Sequence, residues 1–345
     1  MKKVGLVYDP VYLEHDTGTH VENIQRLTTT LELLKENRLE DNLIALSPRA
    51  ATIDELSKVH AKEYISQVEQ KCKNGGGWFD PDTVASINSY QAATFAAGGV
   101  ITAVDAVMTK DVDSAFALVR PPGHHATCWH AMGFCLFNNI AVAAKYALAN
   151  YEIQRVLIVD FDVHHGNGTQ DIFIADRNVL YFSIHQYPFY PGTGNADEVG
   201  IRDGEGFTVN IPMIAGWGDD EYQAAFEDVL APIALRFQPQ LILVSAGYDA
   251  HWADSIAMMQ LSVTGFARLI EIIKLLSTTL CQGNVVFALE GGYHLQALSA
   301  SIAATLNVLL DNNNEIFDPL GKPSSYTRSS NFDSFIKTIK DRHQI

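Results

Sequence analysis

Hydrophobic positions along this 345-residue chain follow two alternating rhythms. Short continuous apolar runs, rich in Val, Ile and Leu, predict strands covered on both faces: "KVGLVYD", "SAFALVRP", "RVLIVDFD", "VLYFSIH", "FTVNIP", "LILVSAGYD" and "VVFALEGG". Between them apolar residues recur every three or four positions near 22–36, 86–109, 137–150, 219–236, 262–281 and 295–310, which is the spacing of one helix face. The alternation predicts one α/β domain over 1–345, with a central, mostly parallel sheet and helices on both faces. "NGGGWFDPD" (74–82) and "PGTGNADEVGIRDGEG" (191–206) read as glycine-rich loops, because strand and helix patterns resume directly after each. From about Asp311 the chain turns polar, which predicts a surface tail with a closing helix.

Composition narrows the function. A hydrophobic fraction of 47% against 19% charged residues belongs to a globular chain with a sizeable core. The net charge of −16 argues against nucleic acid, whose phosphates need clustered Lys and Arg. It suits cationic partners such as lysine-rich tails or polyamines, or solubility alone. Cys72, Cys128, Cys135 and Cys281 form no CxxC pair, which fits a reducing, cytoplasmic setting. The apolar start of "MKKVGLVYDP" ends at Asp9, too soon for a targeting segment. "AATFAAGGVITAVDAVM" is broken by Asp105 and reads as a buried helix, so no membrane partner is expected. Oligomeric state is left open, a homo-oligomer included.

Where polar residues interrupt the pattern, they do so at strand ends: "RPPGHH", "DFDVHH", "SAGYD" and "EGGYH". Open parallel sheets bind ligands beyond the carboxyl ends of their strands, so four such ends at one edge would build a single site. In "VDFDVHHGNG", Asp160, Asp162 and His164 alternate and would share one face if the strand continued. Burying two carboxylates there is costly without a cation, and Asp with His favours a divalent transition metal, zinc by default. The bland alternative is an Asp cluster capping a helix that begins near Asn167. Asp249 ends "LILVSAGYD" in the same way. Asp162, His164 and Asp249 would make three protein ligands with a position left open, the pattern of catalytic zinc.

Two adjacent imidazoles cannot easily both join that tetrahedral set. His124 and His125 therefore fit acid/base work on a metal-activated water and a leaving group. Asp160 and Asn167 are the spare polar residues that would orient them. An Asp partner holds its imidazole charged, while an Asn partner leaves the other nearer neutrality. Tyr293, after two glycines, could stabilise an oxyanion or simply pack in its loop.

Taken together, "RPPGHHA", "GFC.FNN", "DFDVHHGNGTQ", "HQYPFYPGTG", "SAGYDAH" and "EGGYH" resemble the zinc-dependent histone deacetylase family, which includes acetylpolyamine amidohydrolases and bacterial deacetylase-like amidohydrolases. The match runs in the family's order from "HVEN.QRL" to about residue 310. It implies the arginase/deacetylase fold and hydrolysis of an acetylated amine to acetate and free amine. By motif, Asp162, His164 and Asp249 match the zinc ligands, with ferrous iron accepted by the same set. His125 matches the principal acid/base, His124 an electrostatic stabiliser, Asp160 and Asn167 their partners, and Tyr293 the transition-state tyrosine. Asn167 follows the class II pattern, and Tyr293 departs from the subgroup that carries His there.

The resemblance also implies potassium on backbone carbonyls around Asp160, Asp162, His164, Ser183 and Ile184, and a second, weaker site near Phe173, Asp176 and Val179. For substrate binding, Phe134 and Tyr190 match the aromatic pair around the acyl-lysine stem, flanked by Gly133 and Gly292. Ile256 falls near the rim position that is acidic in polyamine-selective relatives, which tilts the reading toward acyl-lysine. Arg26 suits either the acetate-release side or an ordinary salt bridge. The function expected is a metal-dependent deacetylase of acetylated lysine or small acetylated amines. Acetylpolyamine hydrolysis, a vestigial acyl-lysine binder and a dinuclear-manganese ureohydrolase are the alternatives.

Overall fold

The computed structural model describes residues 2–312, 316, 318–323 and 331–345. Among the described residues ten strands run in chain order: β1 (Val4–Val7), β2 (Leu43–Leu46), β3 (Gly77–Trp78), β4 (Val84–Ala85), β5 (Ser114–Ala117), β6 (Val156–Asp160), β7 (Val179–Gln186), β8 (Thr208–Met213), β9 (Leu241–Ala246) and β10 (Val285–Leu289). Eight of them form one sheet in the order β2-β1-β5-β10-β9-β6-β7-β8, and every pairing in it is parallel. Strands β5, β6, β7, β9 and β10 are buried along their whole length, which is why they read as unbroken apolar runs.

Helices flank this sheet. Ser89–Met108 packs on β1, β5 and β10 and against Asn139–Asn150. Val263–Cys281 packs with Leu295–Leu309, which in turn meets Gln25–Glu36. Ser89–Met108 is long and apolar enough to cross a membrane by length and composition, but 72% of its apolar window is buried inside the fold.

Several elements depart from the pattern. The periodic stretch 219–236 is Asp219–Ala225 and Ala231–Phe237 joined by a π-helical turn, Phe226–Leu230. Pro232 has no N–H to donate, so the backbone ladder is interrupted there, and the wider turn accommodates the gap. The glycine-rich loop at 74–82 contributes a short antiparallel hairpin, Gly77 pairing with Ala85. The closing helix exists as Phe332–His343 and is no mere tail. The Phe332 and Phe335 rings lie 5.1 and 5.2 Å from that of Trp217, and Phe332, Ile336 and Ile339 are buried. Parts of the polar stretch before it, 313–315, 317 and 324–330, lie outside the described residues.

Candidate active site

Strand order places the carboxyl ends of β5, β10, β9 and β6 side by side. His124 and His125 follow β5, Asp162 and His164 follow β6, Asp249 follows β9 and Tyr293 follows β10. One difference from the sequence pattern is local. Strand β6 ends at Asp160, so Asp162 and His164 sit on irregular backbone rather than on an alternating strand. Hydrogen bonds replace the strand as the positioning device. The Val163 N–H donates to Asp249 Oδ1 (3.0 Å), that of His164 to Asp162 Oδ1 (2.9 Å) and that of Gly291 to Asp162 Oδ2 (2.7 Å).

The result is a trio whose ligand atoms, one each from Asp162, His164 and Asp249, lie within 4.8 Å of one another. Among the described residues it is the one such group, so the two-metal cluster of a ureohydrolase is not found there. His164 Nδ1 stands 3.1 Å from Asp162 Oδ1 and 3.2 Å from Asp249 Oδ2. Asp249 Oδ2 is buried with no hydrogen-bond partner. Four carboxylates, Asp160, Asp162, Asp249 and Glu290, are almost wholly inaccessible around this point. So much buried negative charge is costly alone, and an orphaned carboxylate oxygen beside an imidazole fits a divalent cation. Without a cation, burial and the Asp162 carboxylate raise Asp249 to about 6. Burial opposes charge on His164, but Asp162 and Asp249 outweigh it and raise that imidazole to about 9.

The tandem histidines are divided as their partners suggest. His124 Nδ1 is 3.1 Å from Asp160 Oδ2, and His125 Nδ1 is 2.8 Å from Asn167 Oδ1. Burial works against charge on both rings. At His124 the carboxylates of Asp160 and Asp162 overcome it and push the imidazole up to about 10. At His125 the neighbouring His124 and His164 add to burial, holding it well below the ordinary value. The two rings, their centroids 4.0 Å apart, are thus biased in opposite directions, His124 toward its charged form and His125 toward its neutral one. Glu290 fixes the loop that carries them, accepting from the N–H groups of Gly123 (2.6 Å) and His124 (3.1 Å).

Tyr293 is half-buried beneath Arg26, whose guanidinium carbon lies 4.9 Å from the phenol ring centroid. Burial, opposed by Arg26 and reinforced by Asp249 and Asp162, raises the phenol well above its ordinary range, so it remains a donor. Arg26 itself is a structural clamp. It donates to the Gly292 carbonyl (2.7 Å) and the Glu290 carbonyl, and pairs with Glu22 at 3.0 Å.

A channel of about 200 Å³ leads to these groups, lined by His124, His125, His164, Tyr293, Gly133, Phe134, Tyr190 and Ile256 from the sequence-derived set. Phe134 and Tyr293 meet edge-to-face at 5.7 Å, as do His125 and Tyr190 at 5.1 Å. The channel volume is about seven water volumes at roughly 30 Å³ each, room for a slender chain rather than a bulky ring system. At Gly133 a Cβ would stand 2.2 Å from the His125 ring, so only glycine lets this wall close on the imidazole. Gly291, not Gly292, lines the channel, and a Cβ there would meet Asp249 Oδ2 at 2.2 Å. Asp82, Phe189 and Pro122 also line it and were not singled out from sequence. Phe189 stacks on His164 with centroids 5.6 Å apart.

Of the residues tied to potassium, Asp160, Asp162 and His164 belong to the site just described, and Ser183 and Ile184 lie beside it on β7. Ser183 pairs across to Asp160, and its hydroxyl is 2.9 Å from His185 Nδ1, next to Ile184. At the second position the Asp176 carboxylate is taken by Lys145 (2.7 Å), whose ammonium also stands 4.9 Å from the Phe173 ring centroid. The Phe173 and Asp176 carbonyls accept from Asp176 and Val179 N–H groups, so a cation there would have to share backbone oxygens.

Residues 20–309 match the histone deacetylase domain, a span that contains every site residue named above. The chain belongs to the histone deacetylase family. Its relatives are named deacetylases, within a family of hydrolases acting on amide bonds. The chain is 39% identical over 295 residues to a probable deacetylase of Archaeoglobus fulgidus, covering 85% of this chain and 82% of that protein. It is 42% identical over 314 residues to the polyamine deacetylase HDAC10 of Mus musculus, covering 86% of this chain and 45% of that one. The crystal structure of the HDA15 HD domain matches with a TM-score of 0.91 at 37% identity, over 99% of this chain and 94% of that one. Metal dependence is general in the family, and the buried trio is where this chain offers a site.

Proposed function

We propose that this family member removes acetyl groups from acetylated lysine or small acetylated amines, with zinc held by Asp162, His164 and Asp249. The observation that carries this reading is convergence: His164 of the trio lines one narrow channel together with His125 and Tyr293. A bound divalent cation supplies Lewis acidity at the amide carbonyl and makes water a better nucleophile at neutral pH. Neutral His125, oriented by Asn167, takes a proton from the attacking water and returns one to the departing amine nitrogen. His124, held charged by Asp160, stays a cation and steadies negative charge as it develops. The Tyr293 phenol donates to the carbonyl oxygen as it becomes an oxyanion. Phe134 and Tyr190 flank the aliphatic stem. Potassium beside the site rests on the motif resemblance.

Ile256 at the channel favours an uncharged stem, hence acyl-lysine. One observation favours a second reading, acetylpolyamine hydrolysis: the Asp82 carboxylate lines the same channel and would attract a substrate ammonium. A single acetate-release panel of acetyl-lysine peptides, acetylpolyamines and small acetamides, run with metal analysis, tests both. Preference for acetyl-lysine peptides is expected, and polyamine preference would transfer the reading to Asp82. Zinc-loaded protein that releases no acetate even in a single turnover would make the chain a binder.

A further inference from the structure

Asp254 takes no part in the chemistry described so far, yet it is 4% exposed and has no cationic partner among the described residues. One carboxylate oxygen, Oδ2, accepts from the N–H groups of Tyr293 (2.6 Å) and His294 (2.9 Å). The other, Oδ1, accepts from the N–H of Ile256 (3.2 Å). The same side chain therefore ties the segment that carries the phenol to the segment that carries the channel residue Ile256. Those two segments follow different strands, β10 and β9, and both line the channel. Charge-assisted bonds to backbone N–H groups are strong and directional, so they set backbone position more firmly than packing alone. Tyr293 also needs such a tether. Gly291 and Gly292 precede it, and Gly292 has a φ of +115°, a stretch of backbone with little intrinsic stiffness.

We propose that Asp254 is the positioning residue that sets the Tyr293 phenol against the substrate carbonyl and couples that placement to the Ile256 wall. This rests on the deacetylase reading above. A displacement near 1 Å at such a group costs about 10²-fold in rate. The loss should depend on how much the carbonyl needs the phenol. An electron-poor trifluoroacetyl amide needs less help than an acetyl amide.

The test uses the full-length, zinc-loaded protein as Asp254→Asn, Tyr293→Phe and the double variant, assayed on acetyl-lysine and trifluoroacetyl-lysine peptides. We expect Asp254→Asn to lose about 10²-fold in kcat on the acetyl peptide, markedly less on the trifluoroacetyl peptide, and nothing further when added to Tyr293→Phe. Equal losses on both peptides, or full additivity in the double variant, would overturn the proposal. A readout independent of turnover is the ¹⁹F resonance of 3-fluorotyrosine at residue 293, assigned by its absence in Tyr293→Phe. It should shift in Asp254→Asn, and an unmoved resonance also sinks the idea. If Asp254→Asn does not fold, Asp254→Ser, which keeps one acceptor, takes its place. A wild-type protein inactive on both peptides would defeat the deacetylase reading, while the resonance would still decide whether Asp254 places Tyr293.

Discussion

The sheet has a cavity at each edge, and among the described residues the larger one gathers no trio of metal-ligating side chains. At the amino edge a cleft of about 610 Å³ opens beside the residues that precede β6, β7 and β8, lined by Arg155, Arg177 and Arg236 among others. Its polar side chains are half-buried or exposed, and Arg155 and Arg236 are tied to the carbonyls of Gln238 and His343. At the carboxyl edge the channel is about a third as large, 200 Å³ against 610 Å³, but four buried carboxylates and three imidazoles converge there. Volume measures where something fits. Buried, mutually oriented charge marks where bonds can be made and broken, because it is too costly to keep for packing alone.

The contrast can be broken most severely by removing the metal. A chelator should take acetate release to background, and about one zinc per chain should restore it, as measured by metal analysis alongside the assay. Next in size, His125→Ala should lower kcat/KM by about 10²–10⁴-fold in steady-state kinetics, the usual worth of a positioned general base. Tyr293→Phe should cost about 10²–10³-fold with metal content unchanged. Full activity there would remove the phenol from the chemistry.

A subtler change sharpens the division between the histidines. Asn167→Asp adds a carboxylate beside His125, favours its charged form and raises its pKa. The neutral base then appears only at higher pH, so the acidic limb of the kcat/KM profile should move upward. An unmoved limb would mean that His125 does not carry that proton. The smallest effect is expected at the other edge, where Arg177→Ala should leave acetate release within about twofold of wild type. A large loss would give the amino-edge cleft a role in turnover.

The meeting of residues that carry reactive groups of their own was legible in the sequence. Asp162, His164 and Asp249 could be grouped because strand ends in a parallel sheet share an edge, and Asp160 and Asn167, read together as partners of the tandem histidines, lie against His124 and His125 respectively. Residues that act through neighbours were not. Glu290, Asp82, Phe189 and Asp254 gain meaning only from groups brought close by the fold, and nothing in "LEGG" or "WFDPD" declares those contacts. In the fold, β2 escaped notice because "LIAL" is four residues on a sheet edge with no fully buried position, which weakens its apolar signal. The helix Lys62–Lys73 was hidden by its polar composition. Its buried face is Tyr64, Ile65, Val68 and Cys72.

Among the described strands β10 comes last along the chain and yet stands between β5 and β9. Until residues 285–289 leave the ribosome, the sheet can exist only as two separate pieces, β2-β1-β5 and β9-β6-β7-β8. The first piece ends in the tandem histidines, and the second holds Asp162, His164 and Asp249. A nascent or truncated chain could therefore gather the carboxylate–imidazole trio before the tandem histidines are locked beside it. The strand that joins the halves also brings Tyr293, four residues past its own end at Leu289. The proposed chemistry therefore waits for β10 to close the sheet.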